Sequence, residues 1–202
     1  TGNTLQRNVT AEPGNGAARV NSTTAYLEVY YDGNWINVQN LAVASATGGS
    51  VTEVDGYKYH AFTTGGTFSV SSWPDGTLAD IIIVAGAGGG GGGGNNYGVG
   101  GGGGAGGVIF LANQSLSVTD YVISIGSGGA GGTGLDAGGS TGGNTTAFSQ
   151  TALGGGGGGS FTINPTSGGS GGGAGTGVDA GRQVGATTSD SEQGNDGGDA
   201  EG

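Results

Sequence analysis

Runs of glycine at residues 88–94, 100–104, 154–159 and 168–177, with an interrupted run over 126–143, constrain this chain more than any other feature. Glycine has no Cβ and loses more backbone freedom on folding than any other residue. The chain holds 55 glycines among 202 residues, where roughly 7 % is usual. Burial of side chains therefore cannot be what orders these runs. A flexible tether carries Ser or charge and need not recur between apolar strands, whereas each run here starts or stops where an apolar segment does. That spacing predicts an array. Without Cβ atoms, extended three-residue-per-turn helices can lie side by side as closely as chains do at the collagen axis. Main-chain N–H to C=O bonds between neighbours, helped by Cα–H to O contacts, then take the place of a hydrophobic core.

The remaining segments read as strands. Leu27, Val29 and Tyr31 alternate with Tyr26, Glu28 and Tyr30, which is period-two patterning. Asp32-Gly33-Asn34 then supplies turn chemistry before Trp35-Ile36-Asn37-Val38, predicting a hairpin with a three-residue loop. A lone hairpin is barely stable, so this region needs the rest of the chain or copies of itself. Further strands are expected over 57–63, 66–70, 80–85, 107–111 and 120–125. The unbroken Ile81-Ile82-Ile83-Val84 run implies burial on both faces, whereas Phe68/Val70 and Val122/Ser124 imply half-buried strands. No helix formers recur at a 3.6-residue period. The fold class expected is all-β: a small antiparallel β-sandwich with packed polyglycine II helices and essentially no α-helix. Its organisation is a strand-rich attachment segment at 1–42, a small-residue linker at 43–52, and a glycine-rich domain at 53–202 ending in an acidic tail.

Charge narrows the partners. Fifteen Asp and Glu against four Lys and Arg give a net charge of -11, and without a basic cluster neither nucleic acid nor an anionic membrane surface is an expected partner. No apolar run approaches the ~20 residues of a spanning helix, so membrane insertion is not expected. The absence of Cys removes disulfides and thiolate chemistry. With no starting Met and no signal segment, the chain reads as processed, trimmed or a fragment.

His60 is the sole histidine, so His-dependent triads are ruled out, and between Tyr59 and Ala61 it reads as a packed sheet residue. Asp32, Asp75 and Asp80 do not suggest the paired carboxylates in an aromatic groove that glycoside hydrolysis needs. No glycine run ends in Gly-Lys-Ser/Thr, and Lys58 is the sole lysine, which removes the phosphate-loop reading. Asp190, Asp196 and Asp199 form a weak calcium candidate, but a single poor copy of a glycine-aspartate repeat reads better as a solvated acidic tail. Asn-x-Ser/Thr triplets at Asn8, Asn21, Asn113 and Asn144 bear on source, not mechanism. No cofactor and no enzymatic activity are expected.

Two resemblances add to this. Gln6-Arg7, Pro13, Gly16, Arg19, Asn21-Ser22-Thr23-Thr24, Leu27-Glu28-Val29-Tyr30 and Gly33-Asn34-Trp35 follow the order of a short segment that recurs in tail-fibre and other virion proteins of tailed phages. Asn8 and Val20 depart from it where a proline and an aromatic are frequent. The resemblance implies attachment or homotrimeric assembly, with Arg7, Arg19, Tyr30 and Trp35 as assembly candidates. Second, Tyr59-His60-Ala61-Phe62, Thr67-Phe68-Ser69-Val70, Ile82-Ile83-Val84-Ala85-Gly86, Tyr121 to Gly126 and Gly143 to Phe148 resemble the glycine-rich domain of phage fibre proteins. That likeness implies that segments between glycine runs contact a host cell-surface receptor. The candidate segments are 95–99, 135–137, 160–165 and the tail from Val178 onward, with Asn95, Asn96, Tyr97, Leu135, Asp136, Phe161, Ile163 and Asn164 as the contact residues.

The function expected is a structural virion appendage of the tail-fibre adhesin type, on the particle surface, joined to other virion subunits. The alternatives are a head-fibre, capsid decoration or spacer protein without receptor binding, and a polyglycine ice-binding or extracellular matrix protein.

Overall fold

A computed structural model of the chain describes residues 16–21, 23–40, 43–94, 98–177 and 184–200. Among them there are strands and extended segments but no helix, which is the all-β class expected. The chain divides into two units, residues 1–45 with 71–77, and residues 46–70 with 78–202.

In the first unit β1 (Ala18–Asn21), β2 (Tyr26–Tyr31) and β3 (Asn34–Asn40) form an antiparallel meander in the order β1-β2-β3. The β2–β3 turn is shorter than expected. Tyr31 pairs directly with Asn34, leaving Asp32 and Gly33 alone at φ 49° and 80°, the pair of positive φ values that a two-residue hairpin turn demands. One face of the sheet carries Arg19, Glu28, Tyr30 and Trp35. Arg19 Nε donates to Glu28 Oε2 at 2.6 Å, its guanidinium lies 4.1 Å over the Trp35 ring, and Tyr30 meets Trp35 edge-on at 5.4 Å. Asn21 Nδ2 donates to the second Glu28 oxygen at 2.8 Å. The Asn21 amide and then the Arg19 guanidinium stabilise the Glu28 carboxylate and hold its pKa below the ordinary value.

The second unit contains β4 (Ser45–Thr47), β5 (Ser50–Val54), β6 (Tyr57–Ala61), β7 (Gly66–Ser72), β8 (Ala79–Val84), β9 (Gly98–Val99), β10 (Val108–Gln114), β11 (Asp120–Ile123), β12 (Thr145–Ala147), β13 (Gln150–Ala152) and β14 (Thr176–Gly177), with β4 and β7 reaching its boundary. They make small antiparallel sheets: β11-β7-β4, β10-β8, β12-β13, β14-β9 and the hairpin β5-β6. Within the expected linker at 43–52 lie strand residues as well as the boundary between the two units. Its small residues supply β4 and the start of β5, and Gly48 and Gly49 at positive φ turn the chain between them. A Cβ at Gly49 would sit 2.6 Å from the Ala61 carbonyl, so the bend needs glycine for space as well as conformation.

Phe68, Val70, Ile83, Ala85 and Ile123 are buried, and the ring of Phe68 contacts His60, Phe62, Tyr121 and Phe148. His60 Nδ1 lies 2.8 Å from the Gly48 carbonyl, which can only accept. The reading of Ile81–Val84 as buried on both faces is corrected. Ile83 is buried, but Ile82 and Val84 are exposed, as are Phe110 and Val108 opposite them across the β8–β10 ladder. The pair is only two strands wide, so nothing of the described chain covers its second face.

Beyond the strands the chain forms extended tracts: I, residues 86–94; II, 100–107; III, 126–134; IV, 137–143; V, 154–159; VI, 168–175; VII, 184–187; and VIII, 194–199. Neighbouring tracts are joined at every third residue. Gly88 and Gly91 of tract I donate to Gly104 and Gly101 of tract II, whereas Gly86, Gly89 and Gly92 donate to Gly143, Ser140 and Ala137 of tract IV. A three-residue repeat is the signature of the polyproline II-type helix, and each of its three phases addresses a different neighbour. The bonds close into two rows, III–I–II and IV–V–VI, with VII and VIII beyond VI. Side chains occur in tract I only at the outward phase, where Ala87 is exposed with Gly90 and Gly93. Ala105 of tract II shares its phase with Gly102, beside which nothing lies within 4 Å.

Tract V is the centre. Gly155 and Gly158 donate to tract I, Gly156 and Gly159 to tract VI, and Gly154 and Gly157 to the Asn144 amide oxygen and the Thr166 hydroxyl. Every carbonyl from 154 to 159 also accepts a bond from another segment. All of these residues are buried, yet no polar group among them is left without a partner, the condition for burying backbone.

The acidic end differs from the solvated tail expected of it. Gly171 and Ala174 donate to Asn195 and Gly198, Ala186 donates to Gly172, and Gly197 donates to Ala186. Residues 184–199 therefore extend the lattice.

Candidate functional site at the loop end of the lattice

The bonding pattern sets the direction of every tract. Tract I runs antiparallel to II and IV and parallel to III and V, and VI runs parallel to V. Tracts I, III, V and VI therefore end, and tracts II, IV and VII begin, at one end of the lattice, and the V-to-VI connection leaves from that end before running back along V to the start of VI. The lattice holds this end because its tracts cannot slide. A Cβ at Gly91, Gly92, Gly132 or Gly158 would overlap a neighbouring carbonyl.

The connections touch one another. Phe161 N–H donates to the Leu135 carbonyl at 3.1 Å, and the Thr162 hydroxyl donates to Asp136 Oδ1 at 2.8 Å. Glycines make room for the larger side chains. A Cβ at Gly138 would come within 2.8 Å of Ile163 Cγ2, one at Gly98 within 3.1 Å of Phe161 Cδ2, and one at Gly94 would overlap Leu135. Val99 of β9 pairs with Thr176 of β14. Asp136 and Asn164 are exposed, Ile163 is 44 % and Val99 69 % exposed, and Leu135 and Phe161 are half-buried. Polar oxygens and open aliphatic groups thus lie beside one another on an uncharged framework, with the Asp136 carboxylate as the charge.

Of the receptor candidates read from the sequence, Leu135, Asp136, Phe161, Ile163 and Asn164 are brought together here. Asn95, Asn96 and Tyr97 lie outside the described residues, although Gly94 and Gly98 on either side of them bridge at this end. Thr162 lies within the candidate segment 160–165, whereas Thr176 was not among the candidates; a threonine interrupting a glycine run, as Thr176 does, is the signal that marks such a position. Arg19, Tyr30 and Trp35 form one cluster in the first unit, where each has a partner on its own sheet, and Arg7 lies outside the described residues.

The calcium candidate is corrected. Asp196 Oδ1 accepts from Thr188 N–H at 2.6 Å and Asp199 Oδ1 from Gly185 N–H at 2.9 Å. The two Asp190 oxygens accept from Glu192 N–H and Gln193 Nε2. Each carboxylate serves a different amide, and no group of three acidic or histidine side chains among the described residues could hold a metal. No helix among the described residues is long and apolar enough to cross a membrane.

Strands that feed interlocked backbone helices, with the connections collected at one end, define an all-β glycine-lattice protein. The family model of the glycine-rich domain matches residues 61–202, and the chain belongs to that family. No curated protein and no solved structure matches it.

Proposed function

We propose that this chain is a binding scaffold of a virion appendage, in which the lattice holds the loop end outward and the loops contact a host cell-surface receptor. What supports the reading most is the convergence of loops 134–137 and 160–165 on a framework whose every central backbone group is bonded. Loops on such a support vary without disturbing it. The amino-terminal likeness to tail-fibre segments favours other virion subunits as neighbours, a homotrimeric assembly, and a place on the particle surface. The role is adhesive and not catalytic.

The test is adsorption of particles carrying Asp136→Ala, Ile163→Ser and Asn164→Ala, whose side chains are exposed. A fall in adsorption with unchanged particle assembly is expected. Unchanged adsorption would favour a spacer or decoration role, and light scattering that found only monomers would remove the trimer.

A further inference from the structure

We propose that the β5–β6 hairpin and the turn after it form a binding site for a neutral saccharide. Across the hairpin, Ser50 faces Ala61, Thr52 faces Tyr59 and Val54 faces Tyr57. Alternation puts all of these on one face of the ladder. Glu53 and Lys58 belong to the opposite face, where they pair at 3.2 Å. The first face therefore carries no charge. Tyr57 and Tyr59 are 69 % and 53 % exposed, with ring centroids 6.4 Å apart and planes tilted by 48°. The other rings of the second unit near this point, Phe62, Phe68, Tyr121 and Phe148, pack against one another instead.

At the end of the hairpin away from its turn, Ser50 and Ala61 line a hollow of about 240 Å³ together with Phe62, Thr63, Thr64 and Thr67. That is smaller than the roughly 300–1,000 Å³ that drug-sized ligands occupy, and suits one sugar ring. Ser50, Thr63, Thr64 and Thr67 supply hydroxyls to its lining, groups that both donate and accept. A line of two open aromatic rings leading to an uncharged, hydroxyl-bearing hollow matches a ligand with apolar C–H faces and hydroxyl edges. The rings stack on successive sugar units, and the hollow takes the terminal one. An acidic glycan gains nothing here, since no cation belongs to this face and the chain carries a net charge of -11. The site uses none of the loop-end residues, so it stands or falls separately from the adhesive role of the lattice.

The experiment is a glycan array of neutral and acidic oligosaccharides probed with the full chain, followed by calorimetric titration of the best neutral binder. Binding to a neutral oligosaccharide is expected, with at least tenfold loss in Tyr57→Ala and in Tyr59→Ala. Lys58→Ala, on the opposite face, should leave affinity unchanged, and circular dichroism checks that each variant is folded. No neutral glycan bound at millimolar concentration, a preference for acidic glycans, or affinity indifferent to both tyrosines would each overturn the proposal.

Discussion

The amino-terminal meander and the glycine lattice solve the same problem with opposite means. In the meander the sheet is fixed by side chains: Glu28 is held from two directions by Arg19 and Asn21, and the Arg19 guanidinium is sandwiched against Trp35. In tract V side chains are absent, and position is fixed by backbone groups that all reach other segments. A net hydrogen bond is worth only about 0.5–1.5 kcal/mol, similar to the roughly 1–2 kcal/mol of backbone ordering per residue. The lattice therefore depends on close approach at every step. The meander depends on its charge pairing; the lattice tolerates a methyl group only at its outward phase and does not tolerate a shift.

The sharpest way to break that contrast is Gly156→Ala. Its Cβ would overlap the Thr166 carbonyl and lie 2.8 Å from Gly172 N, backbone that cannot rotate aside. A loss of about 3 kcal/mol or more is expected, seen as a large fall in the denaturation midpoint of the second unit. A methyl there that cost nothing would show that the tracts do not interlock.

Arg19→Ala comes next. It strips both the cation over Trp35 and the main cationic partner of a Glu28 that is only 6 % exposed. Leaving the Glu28 carboxylate without its cation destabilises the sheet, and the loss should appear as a lowered midpoint in chemical denaturation of the first unit.

Gly102→Ala should have the opposite sign. Space is open there, and replacing glycine restricts the unfolded chain, so a gain of about 0.4–1 kcal/mol is expected. Together with Gly156→Ala, it asks whether phase within the three-residue repeat, and not glycine content, decides the outcome.

The smallest effect concerns acid. The Glu28 pKa is lowered on folding, so its contribution is present above the unfolded value and is lost as pH falls through the folded one. The melting temperature of the first unit should decline below about pH 4.5, the ordinary value for this group, and Glu28→Gln should flatten that decline.

How far the sequence discloses this fold depends on which of these two logics a segment obeys. Period-two patterning locates β2 and β3, and the glycine runs announce an array, because both are statements about repeat length. The β4 strand escapes, since Ser45, Ala46 and Thr47 pair through backbone and show no apolar alternation. Ile82 and Val84 mislead because a continuous apolar run cannot say whether a second layer exists. The acidic end misleads for a different reason: Asp196 and Asp199 look like solvating charge, yet each accepts an amide that the last tracts would otherwise leave bare. The loop candidates were legible as interruptions between glycine runs, but their meeting at one end follows from tract direction, which composition does not encode.

Residue-resolved amide hydrogen exchange along tract I tests the central claim most directly. The N–H groups of Gly88, Gly89, Gly91 and Gly92 donate to tracts II and IV, whereas those of Ala87, Gly90 and Gly93 have no acceptor among the described residues. Protection should rise and fall with a period of three residues, slow at the first set and fast at the second. Exchange at the rate of a free peptide throughout, or protection with no such period, would contradict a lattice held by its backbone.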